Sequence, residues 1–302
     1  MANSEVVVRP GDESDVDAVV GLLRTADDSR VVSAAGLLYS HATRPERARI
    51  VELVAELDGA VVACGFAGLN TWTTTEGASW ASVTVDPASR RRGIGDGLGD
   101  KLLEHLREVG ATSATSFFRF TEEAERWALA RGWRRLLGGP LIALDPRDVP
   151  EPSVPSGFRC VDMSGLQPEV VYDAVVVAAL DEPTPVPNDN ISLDEFVREW
   201  GDPDVDLDAS TAVLTEDDRV AAFTFISIVG DRARHGFTGT RPDYRGRGLA
   251  TAAKRAALRA AAARGVTRVT TSNAEENVAM RAINRRLGFE PIGEHVIFGR
   301  DL

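Results

Sequence analysis

The chain has 302 residues, of which 43% are hydrophobic and 26% are charged, which is enough for about two globular domains with cores of their own. Its net charge of −12 opposes nonspecific attraction to nucleic acids and anionic membranes, and favours small cationic partners. No apolar run approaches the roughly 18 residues that span a membrane, and residues 1–8 lack the pattern of a secretory signal, so we expect a cytoplasmic protein.

The first half of the chain begins with a predicted strand, Glu5–Arg9, and a predicted helix, Asp15–Leu23, whose valine and leucine residues share one face. Cys64 follows in an apolar stretch typical of a strand, as Cys160 does later, which favours free thiols over a disulfide. The cysteines and histidines show no metal-ligand spacing, so we expect no metal.

A glycine loop reading Arg90-Arg91-Arg92-Gly93-Ile94-Gly95 then opens a helix with an apolar stripe that reaches Val109. Several prolines interrupt residues 145–157, where periodicity is weak. We therefore predict an N-terminal domain over residues 1–147, a linker over 148–156 and a C-terminal domain over 157–302.

A second copy of the loop reads Arg245-Gly246-Arg247-Gly248-Leu249-Ala250 and follows an extended segment. The alanine-rich run Ala250–Ala263 strongly favours a helix, Val266–Thr271 is predicted as a strand, and Val278–Leu287 as a helix ended by Gly288. Because both loops lie in matching contexts, two tandem α/β domains are predicted.

The chemistry of both loops is anion binding at a helix start. Glycine lets the backbone turn tightly, so that consecutive amide N–H groups converge on one anion, and a pyrophosphate group fits such a site. The spacing fits neither the P-loop nor the dinucleotide-binding glycine motif.

The second loop resembles the acyl-CoA loop of GNAT-type N-acetyltransferases, and the first loop resembles it in part. The likeness continues through Thr270-Thr271-Ser272-Asn273, Asn277-Val278-Ala279-Met280 and Asn284-Arg285-Arg286-Leu287-Gly288-Phe289. It implies, in each domain, a mixed α/β sheet flanked by helices and splayed at its centre. Acetyl-CoA would lie in the gap, with its pantetheine arm along the fourth strand, Phe237–Arg241 or Ser82–Val85.

The resemblance implies cofactor contacts in both halves. In the second half these are Thr238, Gly239, Thr240, Arg245, Gly246, Arg247, Gly248, Leu249, Ala250, Thr251, Asn273, Asn277 and Met280, and in the first half Val83, Val85, Arg90, Arg91, Gly93 and Gly95. Lys254 and Arg255 either meet another phosphate of the cofactor or lie on a solvated helix face.

The C-terminal domain is the better candidate for catalysis. Asp96 follows the first loop where Thr251 follows the second, and a carboxylate there repels a pyrophosphate. Thr121, Ala124 and Ala128 stand opposite Asn277, Met280 and Asn284. We expect a degenerate N-terminal domain, and leave open whether it binds CoA.

Two residues are the first catalytic candidates, and three more are fallback candidates. Asn284 stands where much of the family has a tyrosine that protonates the sulfur; it either hydrogen-bonds the sulfur or pantetheine, or packs locally. His235 is a candidate base acting through water, with a surface histidine as the alternative. Tyr244 is a weaker candidate, as are Glu275 and Glu276.

For the acceptor, the resemblance points to the helices within residues 172–200. Asp181 and Glu182 begin an acidic stretch that either attracts a cationic amine or is a solvated loop. We expect acetyl transfer from acetyl-CoA to the primary amine of a small cationic acceptor, in a monomer or homodimer without nucleic-acid or membrane partners. The alternatives are acetylation of a cysteinyl amine, as by the tandem acetyltransferases that complete mycothiol synthesis, or a noncatalytic acyl-CoA-binding module.

Overall fold

The computed structural model describes residues 6–302, so Glu5 of the first predicted strand lies outside the described residues. The chain divides into two compact units. The N-terminal unit holds the described residues up to Leu137 together with Val296–Leu302, and the C-terminal unit holds Gly138–His295. The sequence-predicted linker at 148–156 stays a prediction.

The N-terminal unit is built on a mixed sheet. In chain order its elements are β1 (Val6–Pro10), α1 (Val16–Ala26), α2 (Ala34–Thr43), β2 (Val51–Leu57), β3 (Ala60–Leu69), β4 (Ala78–Val85), α3 (Ile94–Glu108), β5 (Ser113–Arg119) and α4 (Glu122–Leu129). Strands β1 to β4 pair antiparallel in chain order, and β4 pairs parallel with β5 only over Ala78–Trp80 and Ser113–Thr115. The end of β12 (Glu290–Asp301) lies beside β5.

The C-terminal unit repeats this plan. Its elements are the end of β6 (Arg134–Leu144), β7 (Phe158–Asp162), α5 (Pro168–Ala179), α6 (Leu193–Trp200), β8 (Thr211–Thr215), β9 (Val220–Val229), β10 (Arg232–Thr240), α7 (Leu249–Ala263), β11 (Arg268–Ser272) and α8 (Val278–Leu287). Strands β7 to β10 pair antiparallel, β10 pairs parallel with β11 only over Arg232–Arg234 and Arg268–Thr270, and β11 pairs antiparallel with β6.

In each unit the parallel pair at the centre of the sheet separates after three residues, so the predicted splayed α/β sheet is confirmed. The apolar stripe of α3 is also confirmed, since Leu98, Leu102 and Leu106 are fully buried against the sheet. In the C-terminal unit the alanines of α7 permit close packing on β8 and β9, with Ala253 and Leu258 fully buried. No helix within residues 6–302 is long and apolar enough to cross a membrane.

Candidate active site

The glycine loop of the C-terminal unit forms an open helix start. Gly246 and Gly248 have φ angles of 76° and 80°, a region that side chains other than glycine rarely adopt. Gly248 is the N-cap of α7 and no side chain caps the helix; Ala252 donates to Gly248 O at 3.0 Å. The amides of the first turn therefore point outward at the positive end of the helix dipole, an arrangement that binds anions.

The two loop arginines lie at this helix start with different partners. Arg245 donates to Asp181 Oδ2 at 2.5 Å and to Thr240 O at 3.2 Å, and Arg247 lies over the rings of Tyr244 and Phe158. Both guanidinium groups are near the surface, where screening keeps such contacts weak and exchangeable for an anionic ligand. Tyr244 packs edge-on against Phe158 instead of lying free in a cleft.

Strand β10 continues past its last pair with β11, which exposes one backbone edge. Thr238 bonds Thr224 (Oγ1 to Oγ1, 2.7 Å), and Gly239 lies where a Cβ would come within 2.6 Å of Phe223 and Ala178. The glycine at 239 thus permits α5 to pack on the strand, while the backbone edge of Thr238–Thr240 faces the gap between β10 and β11.

His235 lies at the point where β10 and β11 separate, and it is only 2% exposed. Its Nδ1 lies 3.2 Å from Thr224 Oγ1, and its Nε2 is buried without a hydrogen-bond partner. Burial, and then the nearby Lys254, hold the pKa of His235 well below its usual range. The alternative of a surface histidine is wrong, and the role as a base stays a prediction.

Asn273, Asn277 and Asn284, which belong to the segments that resemble the GNAT family, form hydrogen bonds within the protein. Asn284 is 1% exposed; its Nδ2 donates to Asn273 Oδ1 at 2.6 Å, and its Oδ1 is buried without a partner. Asn277 caps α8 by accepting from the Met280 amide at 3.1 Å. Asn273 and Asn284 are thus hydrogen-bonded to each other, whereas Asn277 stabilises the start of its own helix.

Lys254 is the largest departure from expectation. The prediction of a solvated helix-face residue is wrong, because Lys254 is 1% exposed and points from α7 into the unit. Its Nζ lies 5.7 Å from the centre of the Phe289 ring, and it forms no ion pair with any described residue. Burial lowers the pKa of Lys254 to about 7. Arg255 is half-buried beside it.

Replacing Lys254 with methionine should stabilise the protein. The unfolded chain holds this proton up to about pH 10.5, whereas the folded protein releases it near pH 7, so the free energy of unfolding rises with pH between these values. At one pKa unit per about 1.4 kcal/mol, the penalty removed at pH 7 is on the order of 4 kcal/mol. Denaturant unfolding at pH 7 and pH 10 measures the free energy of unfolding of each variant, and Lys101→Met, at an exposed position, is the control. Equal stability of Lys254→Met and wild type at pH 7 would contradict the lowered pKa of Lys254.

The face of the C-terminal sheet opposite α7 carries an aromatic cluster that the sequence analysis missed. Consecutive ring centroids lie 5.3–6.0 Å apart along Tyr172, Phe196, Trp200, Phe225, Phe223 and Phe237. These rings come from α5, α6, β9 and β10, and their spacing in the sequence follows no single period. The cluster gives this face a surface suited to the apolar body of an organic molecule.

Four carboxylates of the acidic stretch that begins at Asp181 are paired with arginine. Asp181 contacts Arg245, Glu199 contacts Arg198, and Asp206 and Asp208 contact Arg264. Glu182 accepts a hydrogen bond from Asn188, and desolvation by the surrounding protein raises its pKa. The stretch therefore offers less free negative charge than its composition suggests.

The loop of the N-terminal unit has the same backbone shape but different partners. Arg91 has a φ of 63° where the second loop has Gly246, and Gly93 has a φ of 78°. Glu123 accepts hydrogen bonds from Arg90 (3.2 Å) and Arg91 (2.6 Å), so a carboxylate of the protein already neutralises both arginines. Asp96 accepts hydrogen bonds from Trp127 Nε1 and from Arg131, whose positive charge offsets that of the carboxylate.

A cavity of about 810 Å³ opens in the N-terminal unit where β4 and β5 separate. The predicted residues Val83, Val85, Arg90, Arg91, Gly93 and Gly95 all line it, as do Gly99, Ala128 and Trp133. Its volume falls in the range of small-molecule and cofactor sites. The gap in the sheet is therefore a real cavity in this unit.

Comparisons with known proteins agree with this geometry. The model of the acetyltransferase (GNAT) family matches twice, over residues 23–136 and 176–289. The chain is similar to mycothiol acetyltransferases of Amycolatopsis mediterranei (30% identity, 95% of this chain and 94% of the relative) and Streptomyces coelicolor (30%, 90% and 87%). Among solved structures, a tandem GNAT protein from the clavulanic acid biosynthesis pathway superposes with a TM-score of 0.75 at 23% identity, covering 98% of each chain.

A GCN5-related N-acetyltransferase from Sphaerobacter thermophilus superposes with a TM-score of 0.72 at 19% identity, covering 98% of this chain and 95% of that one. Both structural neighbours superpose on this chain over nearly their whole length. Taken with the two family matches and the splayed parallel strand pair in each unit, these similarities establish that the chain belongs to the GNAT acetyltransferase family and is a tandem-repeat N-acetyltransferase.

Proposed function

We propose that the C-terminal unit transfers an acetyl group from acetyl-CoA to the primary amine of a small acceptor. The observation that carries this proposal is the uncapped start of α7, with both loop glycines at positive φ, directly beside the gap between β10 and β11. The helix start of the N-terminal unit is also uncapped, but Arg91 stands there in place of Gly246, and Arg90 and Arg91 already bind Glu123.

The residues of the C-terminal unit fit the cofactor in two places. The amides of Gly246 to Thr251, with Arg245 and Arg247, would hold the diphosphate. The free backbone edge of Thr238–Thr240 would pair with the amide groups of the pantetheine arm. When bound, the cofactor supplies an activated acetyl thioester.

The amine of the acceptor must be neutral to react, and the free energy that this costs depends on the pKa of the amine. A lysine-like alkylamine with a pKa near 10.4 needs roughly 4–5 kcal/mol to become neutral at pH 7, whereas an α-amine with a pKa near 7.7–8.0 needs only about 1 kcal/mol. His235 is buried on the α7 face and its pKa is lowered, so it is a weak base. An acceptor of low amine pKa therefore suits this site, and the cysteinyl amine acetylated in mycothiol synthesis is such an amine.

The cationic acceptor remains the second candidate because the carboxylate Glu182 follows α5, the helix that carries Tyr172 of the aromatic cluster. It is less favoured, since Asp181 is paired with Arg245. Further along this stretch, Glu199, Asp206 and Asp208 are paired with arginine as well.

A panel of amines separates these cases. Thiol release from acetyl-CoA is measured with a cysteinyl amino sugar, an amino acid amide, a polyamine and no amine, and the N-acetyl product is identified by mass. We expect amine-dependent release with the cysteinyl compound at neutral pH. Preference for the polyamine would favour the cationic acceptor, and binding of acetyl-CoA with no amine-dependent release would indicate a noncatalytic module.

We further propose that the N-terminal cavity binds acetyl-CoA weakly and does not transfer the acetyl group. Its lining supports binding, while Glu123 competes with the diphosphate for Arg90 and Arg91. The arginines also lower the pKa of the Glu123 carboxyl, so it is charged at pH 7.

Glu123→Ala should tighten the binding of acetyl-CoA to the N-terminal unit by about tenfold, because it frees two guanidinium groups for the diphosphate. Calorimetry on a protein whose C-terminal loop carries Gly248→Asp isolates this site. Glu122→Ala, in the same helix turn but facing Arg126, is the matched control. Equal affinity in the Glu123 and Glu122 variants would contradict the competition.

A further inference from the structure

Lys254 is one of only two lysines in the chain, the other being the exposed Lys101, whereas arginine supplies every other basic side chain apart from histidine. Lysine is almost never fully buried without a charged partner. Lys254 is 1% exposed and forms no ion pair with the described residues, so the fold sustains an unfavourable arrangement at this position. Such arrangements concentrate at functional sites.

The internal repeat shows where this position lies. Lys254 follows the loop glycine Gly248 by the same number of residues as Gly99 follows Gly93. With one residue more in the second repeat after this helix, Asn284 corresponds to Ala128, and Phe289 to Trp133. In the N-terminal unit, Gly99, Ala128 and Trp133 all line the cavity at the gap in the sheet.

The contacts within the C-terminal unit agree with this placement. Nζ of Lys254 lies over the Phe289 ring, and the His235 ring lies 6.3 Å from the same ring. His235 is the residue of β10 at which the strand leaves β11. His235 Nε2 and Asn284 Oδ1 are buried polar atoms without partners, which marks a site that a polar group of a ligand completes.

We infer that Lys254 is a catalytic residue whose ammonium group donates a proton to the sulfur atom that leaves the acetyl group, an inference that rests on the proposed function. The amine nitrogen of the acceptor forms the new C–N bond, and the C–S bond breaks with its electron pair on sulfur. Lys254 transfers its proton to that sulfur, the acceptor nitrogen loses a proton to water, and Lys254 regains a proton from water.

The acidity of Lys254 suits this step. A thiolate has a reference pKa near 8.5, so an ammonium group with a pKa of about 7 transfers its proton favourably. An ordinary lysine would not, since its pKa lies above that of the thiol. Asn284 has no titrating proton to offer. Within residues 6–302, one titratable side chain faces Lys254 from the elements packed against this side of α7, namely His235 of β10. The other neighbours are uncharged: Thr224 and Ile226 of β9, and Phe289 after α8.

Because the chain has two lysines, isotope-labelled lysine reports on Lys254 directly. In the full-length protein we expect one of the two lysine side-chain NMR signals to titrate near pH 7, and Lys101→Met identifies the other signal. Coenzyme A should shift the Lys254 signal, and desulfo-coenzyme A, which lacks the sulfur, should shift it much less. A Lys254 signal that saturating coenzyme A leaves unmoved, or that both ligands move equally, would overturn the inference.

Steady-state kinetics provide a second test of the role of Lys254. Lys254→Met should lower kcat by about 10- to 100-fold with the Kd for coenzyme A within about threefold, and it should remove the decline of kcat as the pH rises above about 7, because only the protonated lysine donates. Lys101→Met should match wild type. If the wild type shows amine-dependent turnover and the kcat of Lys254→Met lies within about twofold of it, the role of Lys254 is overturned and the proposed function stands. If the wild type neither turns over nor binds coenzyme A, both are overturned.

Discussion

Gly248→Asp is expected to abolish acetyl transfer. The new carboxylate would stand at the start of α7, where the proposed diphosphate lies, and a like charge at about 4 Å costs about 4 kcal/mol at intermediate dielectric. The φ of 80° adds strain for any side chain with a Cβ. We expect the Kd for acetyl-CoA at this site to rise by at least about 100-fold and turnover to fall below detection.

The matched control is Gly93→Asp in the N-terminal loop. Gly93 has a φ of 78° and caps α3 as Gly248 caps α7, so the backbone strain is the same. This variant should keep turnover within about threefold of wild type. If the two variants exchanged these outcomes, the N-terminal unit would be the catalytic one.

Phe298→Ala is expected to destabilise the protein by about 3–5 kcal/mol, the usual effect of truncating a buried aromatic residue. Phe298 is fully buried and its ring centroid lies 5.3 Å from that of Phe118 on β5. Although it lies near the end of the chain, it belongs to the core of the N-terminal unit.

Denaturant unfolding measures this effect, and hydrogen exchange should show the loss in α3, whose Leu102 packs in the same core. Glu290→Ala, at the exposed start of the same strand, is the control and should change the free energy of unfolding by less than about 0.5 kcal/mol. A loss below about 1 kcal/mol for Phe298→Ala would mean that the final strand does not hold this core together.

Local signals explain the parts of the fold that could be predicted. The bounds of α8 match the sequence prediction because Asn277 caps its first turn and Gly288 ends it with a φ of 92°. Alanine content fixed α7 in the same way, and the glycine pattern located both helix starts. Each of these signals lies within a few residues of the feature it specifies.

The unpredicted parts depend on partners distant in the chain. Strand alternation does not reveal which sheet a strand joins, so nothing in the sequence showed that residues 138–144 belong to the C-terminal unit and residues 296–302 to the N-terminal unit. A lysine in an alanine-rich helix is normally solvated. Lys254 is buried because β10 and the chain after α8 supply His235 and Phe289 against it.

For the same reason, the sequence predicts some parts of the candidate site and not others. The loop is a contiguous motif, so its backbone geometry could be anticipated residue by residue. The aromatic cluster and the pairing of Asp181 with Arg245 unite separate segments, and only the folded chain brings them together.

A crystal structure with acetyl-CoA would show which unit holds the cofactor. We expect diphosphate oxygens within hydrogen-bonding distance of the amides of Gly246–Ala250, the pantetheine arm along Thr238–Thr240, and the sulfur close to Lys254 Nζ. A structure in which acetyl-CoA fills the N-terminal cavity while the cleft beside α7 stays empty at saturating concentration would contradict this expectation.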